Sequence, residues 1–435
     1  MQQNKSGNRL GVSLSGGGYR ASAFHIGTLR ALHKLKLLGR VNVLSTISGG
    51  SITGAAYCLH KGSWDEFENY MIEKVSSKNV VRFILTSWSA LQLLLFTLAF
   101  IGTGIYFLFF TSYPWLFLVF LLLWIFLLLR FQFYIFPTGK EVERAYDKYY
   151  FHGSSMHQLC KKPELAIGSS NLQTGRPFTF SWRRMSDSTY SYMDPPIFFE
   201  QGKFPVARAV MASSCVPFAF TPVSINKKFY KKADDYHRID PKLVDGGVYD
   251  NQGIQKITQQ GSSYECDIII TSDAGGKLSF HKKYGNTLSL LIRTVDLFMN
   301  RIKMFQMVEN IYQNENRKQI AYFSLGWDID NCIHGFVENM CKGHVIQSVI
   351  DAHGFDPAWI KDPCLFKKEI EASLKVTVGY NEIESRNLTG DELRFIRNTG
   401  TNLTPLSKRR IDLLAKHAEN LTELQVKLYC PILID

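Results

Sequence analysis

At 435 residues the chain is too long for one compact core of ordinary size, so one large domain with an insert or appendage is expected. An apolar share of 46% against 20% charged residues excludes a wholly disordered chain, and 32 Gly with 14 Pro exclude collagen-like material. The formal net charge of +12 points to an anionic partner, either nucleic acid or a phospholipid surface.

In chain order, the polar stretch MQQNKSGNR does not read as a secretory signal. RLGVSLS (9–15) predicts a short strand, a glycine loop follows, and Tyr19–Leu37 carries Phe24, Ile26, Leu29, Leu32 and Leu35 at helical spacing. VNVLSTI (41–47) predicts a second strand that runs into a sharp turn and a helix. Between Arg82 and Arg130 about 47 residues carry no charge, enough for two spans of roughly 20 apolar residues. Thr111-Ser112-Tyr113-Pro114 breaks the run, which predicts a helical hairpin over about Trp88–Phe110 and Trp115–Phe136. Trp88, Tyr113, Trp115 and Tyr134 suit the interfacial belt, and Arg130 lies near enough to an end to snorkel. Lys74, Lys78 and Arg82 precede the hairpin and Arg130 and Lys140 follow it, while the connecting loop has no positive charge. The positive-inside rule therefore places both flanks in the cytoplasm.

Beyond the hairpin, KEVERAYDKYY predicts a charged helix, and PELAIGSSNL and PFTFSW predict strands joined by a TGR turn. YECDIIITSD predicts a further strand. An amphipathic helix is expected over about Leu288–Tyr312, to pack on the sheet or to dip into a membrane surface. The last hundred residues read as charged helices. Strands alternating with helices indicate an α/β fold with a mainly parallel sheet, whose ligands sit at the carboxyl ends of strands. The expected organisation is 1–82 and 139–330 as two parts of one catalytic domain, 83–138 as the inserted hairpin, and 331–435 as a mostly helical extension. Eight cysteines without a C-x-x-C pair read as reduced thiols in a cytosolic compartment.

Three motifs carry chemistry. Ser15-Gly16-Gly17-Gly18-Tyr19-Arg20 follows a strand and opens a helix, so its amides can turn toward one spot and cradle a phosphate or an oxyanion. It has neither the Gly-Lys-Ser ending of a P-loop nor the dinucleotide glycine spacing. Thr46-Ile47-Ser48-Gly49-Gly50-Ser51 places a serine at a strand-to-helix turn, with Thr46 where the general G-x-S-x-G pattern has glycine. Leu243-Val244-Asp245-Gly246-Gly247 delivers an aspartate into a glycine turn.

With SGGGYR at 15–20, SGGS at 48–51, ASSCVPFAFTPV at 212–223 and DGG at 245–247, the chain resembles the patatin-like phospholipase family and its relatives among the cytosolic phospholipases A2. The resemblance covers about residues 8–60 and 139–275. It implies a three-layer α/β sandwich and a lipid acyl hydrolase of the phospholipase A or lysophospholipase type. It also implies a Ser48–Asp245 dyad that needs no histidine, metal or other cofactor. Ser48 would be the nucleophile and Asp245 the general base, with the amides of Gly16, Gly17 and Gly18 as the oxyanion hole. Arg20 would orient the loop or meet a substrate phosphate. An aspartate at its ordinary pKa of about 3.9 matches a serine hydroxyl poorly, so burial is expected to raise it.

Three other readings compete with this one. They are a triad esterase or thioesterase using His281, His334, His344, His353 or His417; a metal site at Cys332, His334, Cys341 and His344; and a non-catalytic membrane scaffold. The expected partners are a phospholipid or other lipid ester and the bilayer, with no nucleic acid. The expected location is an integral membrane protein with its catalytic domain on the cytoplasmic side.

Overall fold

The computed structural model describes residues 8–276, 285–313 and 318–434. Its centre is a mixed sheet of nine strands: β1 (Leu10–Leu14), β2 (Val43–Thr46), β3 (Glu164–Asn171), β4 (Arg176–Phe180), β5 (Met185–Ser186), β6 (Val223–Ser224), β7 (Lys242–Asp245), β8 (Ile268–Asp273) and β9 (Gln319–Ser324). The order runs β5-β4-β3-β2-β1-β8-β9, with β7 on β3 and β6 on β7. Pairings from β3 across to β9 are parallel, and those involving β4 to β7 are antiparallel. Runs such as Ile268-Ile269-Ile270 suit central parallel strands, which are buried on both faces.

Side-chain alternation divides the interior in two. Leu44, Leu165, Ile167, Ile268, Ile270, Ala321 and Phe323 join the larger core, while Val43, Ala166, Ile269, Ile320 and Tyr322 join the smaller. The larger core lies under α1 (Gly18–Lys34) and α2 (Gly49–Leu59), whose apolar residues are almost wholly buried. The smaller is closed by Ile254, Ile257, Tyr264 and Met307. Helices, sheet and this thinner cover form three layers.

Among the described residues two helices are long and apolar enough to cross a membrane: α3 (Trp88–Phe110) and α4 (Leu116–Ile135). Both begin and end within a residue or so of the hydropathy reading. They pack on each other, with Phe107 stacked on Phe120 at 5.7 Å and Gly104 admitting the Phe117 ring. Little else covers them: only Ser89 and Gly104 are buried along α3, and nothing along α4. The chain re-joins the domain through α5 (Thr138–Tyr146). At the base of the hairpin the Ser89 hydroxyl donates to Glu141 Oε1 at 2.6 Å.

Downstream come α6 (Val206–Ser213), α7 (Thr287–Met307) and α8 (Lys408–Tyr429). The C-terminal region, which reads as an extension in the sequence, shares the main core. Leu414, Ala415, Ala418 and Leu421 of α8 sit in one cluster with Ala23, Phe24 and Ile26 of α1. Gly27 lets the two helices touch, since a Cβ there would lie 1.8 Å from the Ala415 carbonyl oxygen. Arg30 and Lys34 then hold Glu419 at 3.1 and 2.6 Å.

Gly27→Ala is therefore expected to lower the thermal midpoint of the full chain, at a cost of about 1–3 kcal/mol from overpacking. Gly39→Ala, at a position with open space around it, is expected to leave the midpoint unchanged.

Candidate active site

The site forms where strands end. β2 leads into Ser48, which opens α2 with φ 49° and ψ −116°. A positive φ at a non-glycine residue stores about 1–3 kcal/mol, and here it turns the side chain out of the sheet end. Gly49 and Gly50 permit the turn, because a Cβ on Gly49 would meet the Gly18 carbonyl oxygen at 2.2 Å and one on Gly50 the Leu14 carbonyl oxygen at 2.3 Å. Thr46 fits in place of the usual glycine: it ends β2 buried and accepts the Ser51 hydroxyl at 3.0 Å.

Asp245 arrives from the opposite direction. β2 pairs with β3 up to Thr46↔Ile167, and β7 pairs with β3 from Ser169↔Asp245 onward, in antiparallel sense. The two strands thus share one edge of β3 and run toward each other, so that Ser48 and Asp245 meet at the level of Ser169. The segment after α6 pins both. Ser213 Oγ accepts the Ser48 N–H at 2.9 Å, the Cys215 carbonyl accepts the Asp245 N–H at 2.8 Å, and the Ser213 carbonyl accepts the Gly246 N–H at 3.1 Å. Ser48 and Asp245 are both buried.

Burial pushes the Asp245 carboxyl up to about 6, against the Gly247 N–H, which donates to Oδ1 at 2.7 Å, and the Ser48 hydroxyl.

The glycine loop lies beside Ser48. Gly17 has φ 141° and Gly18 φ 58°, conformations that favour glycine. The Gly16 N–H is taken by the Asn251 carbonyl at 2.9 Å, so its amide faces away from an incoming substrate. The Gly17 and Gly18 N–H groups have no acceptor among the described residues. Below the loop, buried His25 contacts the Ser15 carbonyl and the Ser272 hydroxyl, each at 2.9 Å. Burial holds its pKa down to about 4, so the ring is neutral. From the other side the Asn402 carbonyl accepts the Tyr19 N–H at 2.9 Å, and Arg20 Nη1 donates to the Thr399 carbonyl at 3.0 Å.

These residues open into a cavity of about 750 Å³ lined by Gly16, Gly17, Arg20, Ser48, Asp245 and Asn251. The loop Val216–Ala219 and the inward face of α7, with Ile292, Val295 and Met299, form its apolar walls. At the rim Lys303 pairs at 2.5 Å with Asp273, at the end of β8. Burial would raise the Asp273 carboxyl, but the Lys303 ammonium outweighs it and holds the group below its ordinary value. The helix predicted over 288–312 thus packs across the mouth of the cavity.

No histidine lines the cavity among the described residues. His334 pairs with Glu371 at 2.9 Å, His353 Nε2 meets the Leu428 carbonyl at 2.8 Å, His417 is buried beside the Leu325 carbonyl, and His344 lies against Tyr312. His281 lies outside the described residues. Cys332 contacts the Asp328 carbonyl and Cys341 lies beside Cys364, and no three His, Cys, Asp or Glu side chains among the described residues gather as a metal site.

Sequence reasoning missed Asn251, the Asp273–Lys303 pair and the Thr399–Asn402 brace. Only Ser213 and Cys215 carried a signal, inside the small-residue stretch ASSCVPFAFTPV.

Residues 12–255 match the patatin-like phospholipase family, and the chain belongs to it, which makes it a lipid ester hydrolase by class. No curated relative matches the sequence. Among solved structures, VipD from Legionella pneumophila is similar at 12% identity over 75% of this chain and 67% of that one, with a TM-score of 0.33. Human GIVD cytosolic phospholipase A2 is similar at 11% identity over 99% of this chain and 62% of its own length, with a TM-score of 0.43.

The folded-state pKa of Asp245 lies above its unfolded value, so stability falls as pH rises from about 4 to about 6, and the full penalty of the ionised carboxylate is in place above that. Asp245→Asn is expected to raise stability at pH 7–8 by an amount on the order of 2–3 kcal/mol. That gain should fade as pH falls toward about 4, measured by thermal unfolding across pH.

Proposed function

We propose that the chain is a membrane-anchored serine acyl hydrolase acting on phospholipids or lysophospholipids, with Ser48 as nucleophile and Asp245 as general base. The observation that carries this reading is the meeting of a strained, cavity-facing Ser48 with a buried carboxylate whose pKa is raised to about 6. That value suits a base near neutral pH far better than an ordinary aspartate does.

In the reaction, Ser48 Oγ attacks the ester carbonyl carbon and its proton passes to Asp245. The Gly17 and Gly18 amides meet the developing oxyanion, each such donor being worth about 2.7–4 kcal/mol. Collapse of the tetrahedral intermediate breaks the ester C–O bond, and Asp245 returns the proton to the leaving alkoxide. Acyl-Ser48 remains. Water then attacks it with Asp245 again as base, releasing a fatty acid. No step requires a histidine or a metal. Arg20 lines the cavity, its Nε without a partner among the described residues, and we assign it to a substrate phosphate. The apolar walls take the acyl chain.

The hairpin supplies the anchor. Two helices exposing Phe109, Phe110 and Leu129 at more than 70% are costly in water and natural in hydrocarbon. The positive flanks put the catalytic domain on the cytoplasmic side.

Ser48→Ala and Asp245→Asn are each expected to lower phospholipid turnover at least about 10³-fold without loss of folding. A fluorophosphonate probe should label the wild type and not Ser48→Ala; equal labelling of both would show that Ser48 is not the nucleophile. Turnover by the wild type should also fall on acidification with a midpoint near the Asp245 pKa of about 6, because only the carboxylate accepts a proton. A flat profile down to pH 4.5 would exclude Asp245 as base. Resistance to carbonate extraction should mark the full chain as membrane-integral.

A further inference from the structure

We infer that the outer face of α7 is a docking surface for the lipid bilayer, bedding into it directly over the mouth of the catalytic cavity. The inference rests on the anchored-hydrolase reading for its partner, and adds to it the surface by which lipid reaches the site.

α7 has two apolar faces. Ile292, Val295 and Met299 face the cavity. On the other side Leu291, Leu297, Phe298, Met304 and Phe305 are between 45% and 69% exposed. A surface helix of a water-soluble domain buries one apolar stripe and turns polar residues outward; this one has a second stripe that no described residue covers. Arg301 stands exposed among those side chains, as a basic residue does beside lipid headgroups.

The occupant is identified by continuity with the hairpin. The same cavity is lined by the loop Val216–Ala219, where Val216 and Phe218 are themselves 44% and 61% exposed. That loop is hydrogen-bonded to the residue at which the hairpin returns: Thr138 Oγ1 donates to the Ala219 carbonyl at 3.3 Å and accepts the Thr221 N–H at 3.2 Å. The end of the second apolar helix, the exposed Phe218 and the cavity rim are therefore neighbours. A bilayer holding α3 and α4 arrives at this rim, and the α7 stripe lies across the same cavity from it. The ion pair of Lys303 with buried Asp273 fixes α7 in place, so that bedding of its outer face leaves the inner one lining the cavity with Ser48.

The test uses the full chain reconstituted in vesicles of phosphatidylcholine and phosphatidylglycerol. Phe298→Ser/Phe305→Ser changes only outward side chains. It is expected to cut hydrolysis of vesicle lipid at least about tenfold while sparing a water-soluble short-chain ester. In parallel, an environment-sensitive dye on Phe305→Cys, in a Cys364→Ser background, should be quenched by brominated lipid. Equal vesicle hydrolysis by the variant and wild type, with no quenching, overturns the docking surface and leaves the hydrolase standing. Quenching with no turnover of either substrate by the wild type supports the docking surface and sinks the hydrolase. A dye that is shielded from water but not quenched, in a chain that has become dimeric, assigns the face to a second copy and overturns the proposal.

Discussion

One lane of the sheet governs this molecule. β2 and β7 lie end to end against the same edge of β3 and point at each other, which brings residues 48 and 245 together at the level of Ser169. The junction has no room to spare. A Cβ on Gly168 would press the Ile47 side chain at 2.6 Å, and one on Gly246 would press the Gly168 carbonyl oxygen at 2.5 Å. Three features that look independent in the sequence, the serine turn, the Asp-Gly-Gly turn and a glycine within β3, are therefore one packing solution. The hairpin between β2 and β3 leaves that solution alone, since a chain that departs after α2 and returns at α5 has only to deliver β3 to β2 in register. That is why an insert of such size is tolerated inside a catalytic domain.

The same crowding sets the ionisation of Asp245. A solvated carboxylate is too weak a base, and a wholly buried unpaired one would stay protonated at neutral pH. Asp245 lies between these extremes: burial raises it, and the Gly247 N–H holds the rise at about 6. Asp273, at the end of β8, shows the other outcome. It too is buried, but the ammonium of Lys303 keeps it ionised, and the pair anchors α7. Two aspartates at strand ends of one sheet thus differ in ionisation through their partners alone.

What the sequence made legible was whatever local chemistry dictates. The glycine loop, the serine turn and the Asp-Gly-Gly turn each need residues close in the chain, and the hairpin needs only length and hydropathy, so its helix ends fell within about a residue of Trp88–Phe110 and Leu116–Ile135. Features that depend on distant pairing were not legible. The Asn251 carbonyl that occupies the Gly16 amide is an ordinary backbone group. β9 escaped notice although QIAYFS is as long as the strands that were read; its place in the sheet comes from parallel pairing with β8. The C-terminal helices read as charged and peripheral because half of each surface is charged, yet α8 buries the other half against α1.

That last point separates chemistry from selectivity in this chain. The family match ends at residue 255 and includes Ser48, Asp245 and the whole glycine loop. Much of what surrounds them lies beyond it: α7 over the cavity, Lys303 at its rim, Thr401 in its wall, and the Thr399–Asn402 segment that holds Arg20 and Tyr19. A Cβ on Gly18 would strike the Asn402 carbonyl oxygen at 2.4 Å, so the loop carrying the two unoccupied amides is shaped in part by a segment some 380 residues away. The strand ends are fixed by the sheet register, whereas much of the cavity wall comes from later segments of the chain, which can vary without disturbing the lane where serine and aspartate meet.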